Sequence, residues 1–249
     1  VKTLVLILML PVATQAQFAF TDTIDIYGGP GTLEGRFETA AGLPDSQGWM
    51  GVDETVPEIE DRWRISTWQA ANLDTTVAGN HAWWCGQEFP SCDDSLDPEG
   101  GYGNAWMTLL GTNLTIDPTR GAEVRLIGVM NVDTEPGYDF VYLESAMAGQ
   151  VVRASSYDGV WRGLEINAVW DWEPGDYVGE NGDEVQVQIR FQSDGAWSDE
   201  DCQWPTIAGA LQADNLQVII EQPGLPTFYG PVETCEPGAA EPTAVASWP

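Results

Sequence analysis

Two sets of residues in this chain have types and spacing that could do chemistry: closely spaced acids and clustered tryptophans. Acid runs stand at Glu58-Ile-Glu60, at Asn131-Val-Asp-Thr-Glu135 and at Asp199-Glu200-Asp201. Two carboxylates about 5–10 Å apart, one protonated and one ionised, can cleave a glycosidic bond, and side chains at i and i+2 of a strand share the face such a pair needs. Among 39 acidic residues, however, pairs at this spacing arise by chance, and neither pair belongs to an ordered Glu-x-Asp-x-Glu run. A jelly-roll glycosidase is therefore the second reading. The same oxygen-rich clusters suit Ca²⁺, which takes about six to eight hard oxygen ligands. The run Asn131 to Gly137 imitates the start of an EF-hand loop but has Tyr142 in place of the bidentate Glu and carries Pro136, so it is rejected as one. His81 is the only histidine and reads as a packed residue rather than a general base.

The chain has 12 tryptophans. Trp83 and Trp84 adjoin Cys85, Trp106 follows a glycine-rich segment, and Trp197 stands beside the acidic triplet. An exposed indole face stacks on the C–H face of a sugar, and nearby acids or Asn exchange hydrogen bonds with its hydroxyls. These four residues are the candidate ligand-binding set for a neutral glycan. The competing reading is packing, since Trp is highly buried on average. Trp170 and Trp172 share a face if their segment is a strand.

Composition narrows the partners. The chain has 249 residues, 9 Lys+Arg against 39 Asp+Glu, and a formal net charge of −30. Nucleic acid and anionic membrane surfaces both demand basic patches and are excluded. Residues 1–16, with Lys2, an apolar run and Ala13-Thr-Gln-Ala16, read as a secretory signal peptide, so the expectation is export to the extracellular space or the cell surface. Lys2 is the only lysine, which leaves arginine as the sole basic residue after the leader and disfavours a uronate lyase. In an oxidising compartment, the four cysteines predict disulfides Cys85–Cys92 and Cys202–Cys235, with two other connectivities open.

The elements that must position these residues read as strands. Segments 122–130, 138–144, 160–166, 184–191 and 216–220 are rich in β-branched and aromatic residues and are separated by turn signals. Segment 184–191 alternates with period two, which places Val185, Val187, Ile189 and Phe191 on one face. The pattern predicts an all-β fold, an antiparallel β-sandwich of jelly-roll type over residues 20–221. The Pro-rich stretch 222–249 reads as a linker or tail, with the chain truncated before further domains of the same polypeptide.

The ordered motifs Phe37-Glu38, Asp61-Arg-Trp-Arg-Ile-Ser-Thr-Trp68, Gly79-Asn-His-Ala-Trp-Trp-Cys-Gly86, Gly101-Tyr-Gly-Asn104, Tyr138-Asp-Phe-Val-Tyr-Leu-Glu144, Ser193 to Asp201 and Ala213-Asp-Asn-Leu-Gln-Val218 together resemble MAM-like, concanavalin-like jelly-roll modules of bacterial secreted proteins. Such modules also accompany immune inhibitor A-type metallopeptidases. The peptidase activity does not carry over, because His-Glu-x-x-His is absent. The resemblance implies a non-catalytic binding or adhesion module for a glycan or protein ligand. It also implies a structural Ca²⁺ bridging the first and last strands through Glu38 and Asp214; the acidic triplet beside Trp197 adds Asp199 and Glu200 as further candidate ligands for the same ion. Arg36 departs from that pattern, where an acid commonly precedes Phe-Glu.

Overall fold

Alternation of β-branched and polar residues builds strands here because each strand has one face to bury. The computed structural model describes residues 20–25, 37, 46–56, 62–66, 81–89, 99–117, 119–147, 149–173, 184–206 and 209–224. The proposed leader 1–16, residue Glu38, the pair Glu58/Glu60, Cys92, Cys235 and the tail from 225 onward lie outside the described residues. In chain order the strands are β1 (Phe20–Asp25), β2 (Met50–Asp53), β3 (Trp63–Ser66), β4 (Ala82–Cys85), β5 (Gln87–Phe89), β6 (Glu99–Gly101), β7 (Met107–Thr115), β8 (Ala122–Asp133), β9 (Phe140–Met147), β10 (Gln150–Tyr157), β11 (Val160–Trp172), β12 (Glu184–Gln192) and β13 (Leu211–Gly224). Among the described residues no helix is long and apolar enough to cross a membrane.

Every strand pairing is antiparallel. One sheet runs β11-β8-β13-β4-β3, with β1 joined to the far end of β13; the other runs β10-β9-β12-β7-β2, and β5 and β6 form a separate hairpin. The fold is the two-sheet antiparallel sandwich that the strand pattern predicts. β12 shows why: Val185, Val187, Ile189 and Phe191 are all fully buried, and opposite them lie core residues such as Leu110 of β7 and Leu143 of β9. On the other sheet Val124, Leu126, Met130 and Val132 of β8 and Val218 and Ile220 of β13 close the same core. Trp170 and Trp172 share the inward face of β11 with Ile166 and Ala168, so their common face serves packing.

The long last strand needs one accommodation. Pairing of β13 with β8 breaks between Asp214 and Gln217, where Asn215 takes φ 52° and Leu216 is driven into the core. Gly128 on β8 faces this bulge, and a Cβ there would meet Leu216 Cδ2 at 2.7 Å. A glycine is what lets the extra residue fold inward. β1 pairs with residues 219–224 of β13, so the first and last described strands lie side by side, and β13 continues to Gly224.

Candidate functional site

Three connections meet at one end of the sandwich. They are the β6–β7 segment around Tyr102, the β8–β9 loop from Thr134 to Asp139, and the β12–β13 connection from Ser193 to Ala210. Tyr102 ties them together. Its ring packs edge-on against Phe191 at 5.2 Å, its hydroxyl donates to Asp139 Oδ2 at 2.6 Å and accepts from the Glu135 amide at 3.0 Å, and its own N–H donates to Asp199 Oδ2 at 2.9 Å. Burial and the neighbouring Asp139 carboxylate push the phenol's pKa up, so it stays a donor. Asp139 Oδ1 accepts the Asp194 amide at 2.8 Å, which stitches the β8–β9 loop to the β12–β13 connection.

The acidic triplet divides into separate tasks. Asp199 is buried and accepts from Thr206 N at 2.5 Å, Thr206 Oγ1 at 2.9 Å and Tyr102 N. Its oxygens hold the fold. Gly101 is required beneath it, because a Cβ there would lie 2.5 Å from Asp199 Cβ. Glu200 is exposed, and its Oε2 accepts the Asn104 amide at 3.0 Å. Asp201 accepts the amides of Trp197 (2.9 Å), Ser198 (3.1 Å) and Gln203 (3.2 Å) and the Asn104 side chain at 3.4 Å. Burial raises its pKa, but these N–H donors outweigh burial and hold it below the usual carboxylate range.

The outcome of that turn is the position of Trp197. Its backbone sits at φ 69°, a region L-residues with large side chains avoid, and its side chain is 54% exposed. The other three candidate tryptophans are not available to a ligand: Trp83, Trp84 and Trp106 are only 6%, 1% and 3% exposed. Trp83 meets Phe37 edge-on at 6.1 Å in the core. Trp84 lies under Arg64, whose guanidinium is 4.2 Å from the ring centroid, and its indole fills the space left by Gly86 and Gly209. Trp106 is covered by Arg62 at 4.4 Å. For Trp83 and Trp84 the cause is that β4 is buried on both faces, so alternation presents neither of its indoles to solvent. Tyr138, which the sequence reading did not single out, is 61% exposed beside Asp139.

Cys85 also departs from expectation. It is fully buried in the inter-sheet core and remains a thiol, so Cys85–Cys92 is not formed. The inward position of its side chain on β4 is the reason. Cys202 is disulfide-bonded, and the remaining cysteines, Cys92 and Cys235, lie outside the described residues. Asp214 is half-buried at the β13 bulge, where its Oδ1 accepts the Asn215 amide at 2.8 Å.

No family model matches this chain, and no curated protein matches it. Among solved structures, the K1 cleaved adhesin domain of Lys-gingipain from Porphyromonas gingivalis W83 is 12% identical with TM-score 0.38, over 82% of this chain and 99% of its own. The Stig cyclase Fisc from Fischerella sp. TAU is 11% identical with TM-score 0.38, over 82% and 100%. The carbohydrate-binding module TmCBM27, described for specific mannan recognition, is 9% identical with TM-score 0.31, over 80% and 98%. At those scores, an adhesin domain, a cyclase and a carbohydrate-binding module favour no single activity, and function rests on the geometry of the site.

A second polar cluster, also missed in the sequence, lies on the outer face of the five-stranded sheet. The register sets Arg153 of β10, Glu144 of β9 and Gln188 of β12 in one row. Glu144, itself buried, accepts from Arg153 Nη2 at 2.9 Å, Gln188 Nε2 at 2.8 Å and Arg190 Nε at 3.0 Å, while Arg190 also pairs with Glu54. Burial raises the Glu144 pKa, but the Arg190, Gln188 and Arg153 donors overcome it and hold the group ionised. Arg153 in turn lies 3.4 Å above the Tyr142 ring, and Tyr142 stacks on Phe140 at 5.8 Å.

Proposed function

We propose that the protein is a non-catalytic, extracellular binding module that recognises a neutral saccharide at the loop end of its sandwich, with Trp197 as the stacking platform. The observation that carries this is the cost accepted at Trp197. A large apolar side chain is held out in water on a left-handed backbone, and Asp201 spends both carboxylate oxygens fixing it there. Such strain persists only where surrounding contacts over-determine it, and it concentrates at ligand clamps. An indole fixed in this way loses little freedom when a sugar ring stacks on it.

The surroundings fit a neutral sugar better than an anionic one. Asp194 and Glu200 are exposed acids near the platform; they accept hydrogen bonds from hydroxyl groups and repel uronates and phosphates. Tyr138 adds a second exposed ring on the adjoining loop. Export to an oxidising compartment is supported by the disulfide at Cys202. For the Asp199/Asp201 pair the glycosidase reading is weaker, because both accept main-chain N–H groups and hold their own turn. Screening immobilised neutral polysaccharides is the test: the native chain retains a subset that Trp197→Ala does not, and identical retention by both removes Trp197 from the account.

A further inference from the structure

All three aromatic side chains that stand exposed among the described residues lie at one end of the sandwich: Trp161 at 44%, Tyr138 at 61% and Trp197 at 54%. Tyr138 and Trp197 belong to the loops described above. Trp161 stands on a fourth connection, just after the Asp158-Gly159 turn between β10 and β11. That turn lies against the β8–β9 loop: Gly137 N donates to Asp158 Oδ2 at 2.6 Å, and Gly159 N donates to Thr134 Oγ1 at 3.0 Å.

Local contacts hold Trp161 in its exposed position. Its Nε1 donates to the Asp158 carbonyl at 2.7 Å, and its ring meets Tyr157 edge-on at 6.1 Å. Pairing of β11 with β8 breaks immediately after it, between Trp161 and Leu164, where Gly163 takes φ 61° and donates to Asn131 Oδ1 at 2.8 Å. Bulges of this kind re-aim the neighbouring side chain. Arg162, inside the bulge, is committed to Asp133 and to the Val132 carbonyl. An indole fixed by a hydrogen bond and an edge contact, with nearly half of its surface in water, loses little freedom when a ligand ring covers it.

In the five-stranded sheet β10, β9 and β12 are neighbours, and the three rings stand beyond the matching ends of those strands in the order Trp161, Tyr138, Trp197. Hydrogen bonds link them along the row, from Asp158 to Gly137 and from Asp139 to the Asp194 amide, three residues before Trp197. Strands about 4.8 Å apart put the outer two rings on the order of 10 Å from each other, more than one sugar ring covers. We infer that Trp161 is a second stacking subsite, so that the loop end takes an extended neutral oligosaccharide laid across three connections and not a single terminal sugar. This rests on the reading of Trp197 as a platform. The polar groups along the row suit uncharged hydroxyls: Asp158 and Asp194 present carboxylate oxygens, and Arg162, the cation beside Trp161, is taken up by Asp133.

The test uses the full chain and fragments of one neutral polysaccharide. Galactomannan, arabinoxylan, dextran and mixed-linkage β-glucan are screened by retardation in native gels. From the polymer that retards the chain most, the shortest fragment that binds and one of about six units are titrated by calorimetry, with unfolding temperatures recorded for every variant. Trp161→Ala should lose at least about fivefold in affinity for the long fragment and less than about twofold for the short one. Trp161→Leu should do the same while keeping apolar packing on Tyr157, which guards against misfolding of the alanine variant. Trp161→Phe, which keeps an aromatic face, should stay within about threefold of the native chain, and Trp197→Ala should weaken both fragments. Native affinity for the long fragment in Trp161→Ala and Trp161→Leu, or an equal loss for long and short fragments, would overturn the second subsite and leave Trp197 in place. Unchanged binding of both fragments by Trp197→Ala, or no retardation of the native chain by any polymer, would overturn the Trp197 reading and this row with it.

Discussion

Single atoms decide the architecture of the loop end. Gly101 and Gly103 are small because the acidic turn lies on them: a Cβ at Gly101 would run into Asp199, and one at Gly103 would lie 2.5 Å from Trp106 Nε1 and 2.9 Å from Glu200 Oε2. Gly101→Ala should therefore displace Asp199 from Tyr102 and Thr206 and lower stability by about 1–3 kcal/mol, read from chemical denaturation midpoints. An unchanged midpoint would mean that Asp199 is not packed against that backbone. The sequence shows Gly-Tyr-Gly-Asn as a motif, but not that its glycines answer to acids nearly a hundred residues away. It likewise places Trp197 beside carboxylates without revealing that Asp201 pins its amide.

At the scale of elements, periodicity carried most of the information. The alternation of β12 named all four of its core residues, and the strands at 122–130, 160–166 and 216–220 are present as the cores of longer elements. What alternation could not show is which outward-facing polar residues meet. Glu144 is one acid among 39 in the sequence, and its meaning comes only from the register that brings Arg153 and Gln188 to either side of it. β4 misled for the opposite reason: a strand buried on both faces shows no alternation, so neighbouring Trp83 and Trp84 looked like a surface feature. The Glu144 network gives the prediction at this scale. Glu144→Ala leaves half-exposed Arg153 without its acceptor and Arg190 with Glu54 alone, and should cost about 1–3 kcal/mol, whereas a loss below about 0.5 kcal/mol would mean the network is solvent-compensated.

The whole molecule carries its charge unevenly. Described arginines gather at ion pairs and over buried tryptophans, while the loop end concentrates acids, and this imposes an unusual pH dependence. Burial pushes the Asp199 pKa up to about 6, against the opposing donors from Thr206 and Tyr102. A carboxyl with a raised native pKa binds more protons folded than unfolded, so its contribution to stability falls as pH rises through about 4 to 6. Glu144 and Asp201, held below the usual range, contribute stability that disappears only at more acid pH. In chelator, the unfolding temperature should rise by a few degrees, roughly, as pH is lowered from 7 to 5, then fall in stronger acid. A steady decline from pH 7 downward would contradict the protonation of buried Asp199.

The same uneven surface explains why a neutral ligand is expected where Trp197 emerges. The most direct measurement is the affinity of the native chain and of Trp197→Ala for the best neutral oligosaccharide, by calorimetry, with unfolding temperature as the control. Loss of at least about tenfold in affinity, worth about 1.4 kcal/mol, with an unfolding temperature that does not drop, is the predicted result. Equal affinity in the two proteins, or a loss that appears only together with destabilisation, would contradict the assignment of Trp197 as the sugar-binding platform.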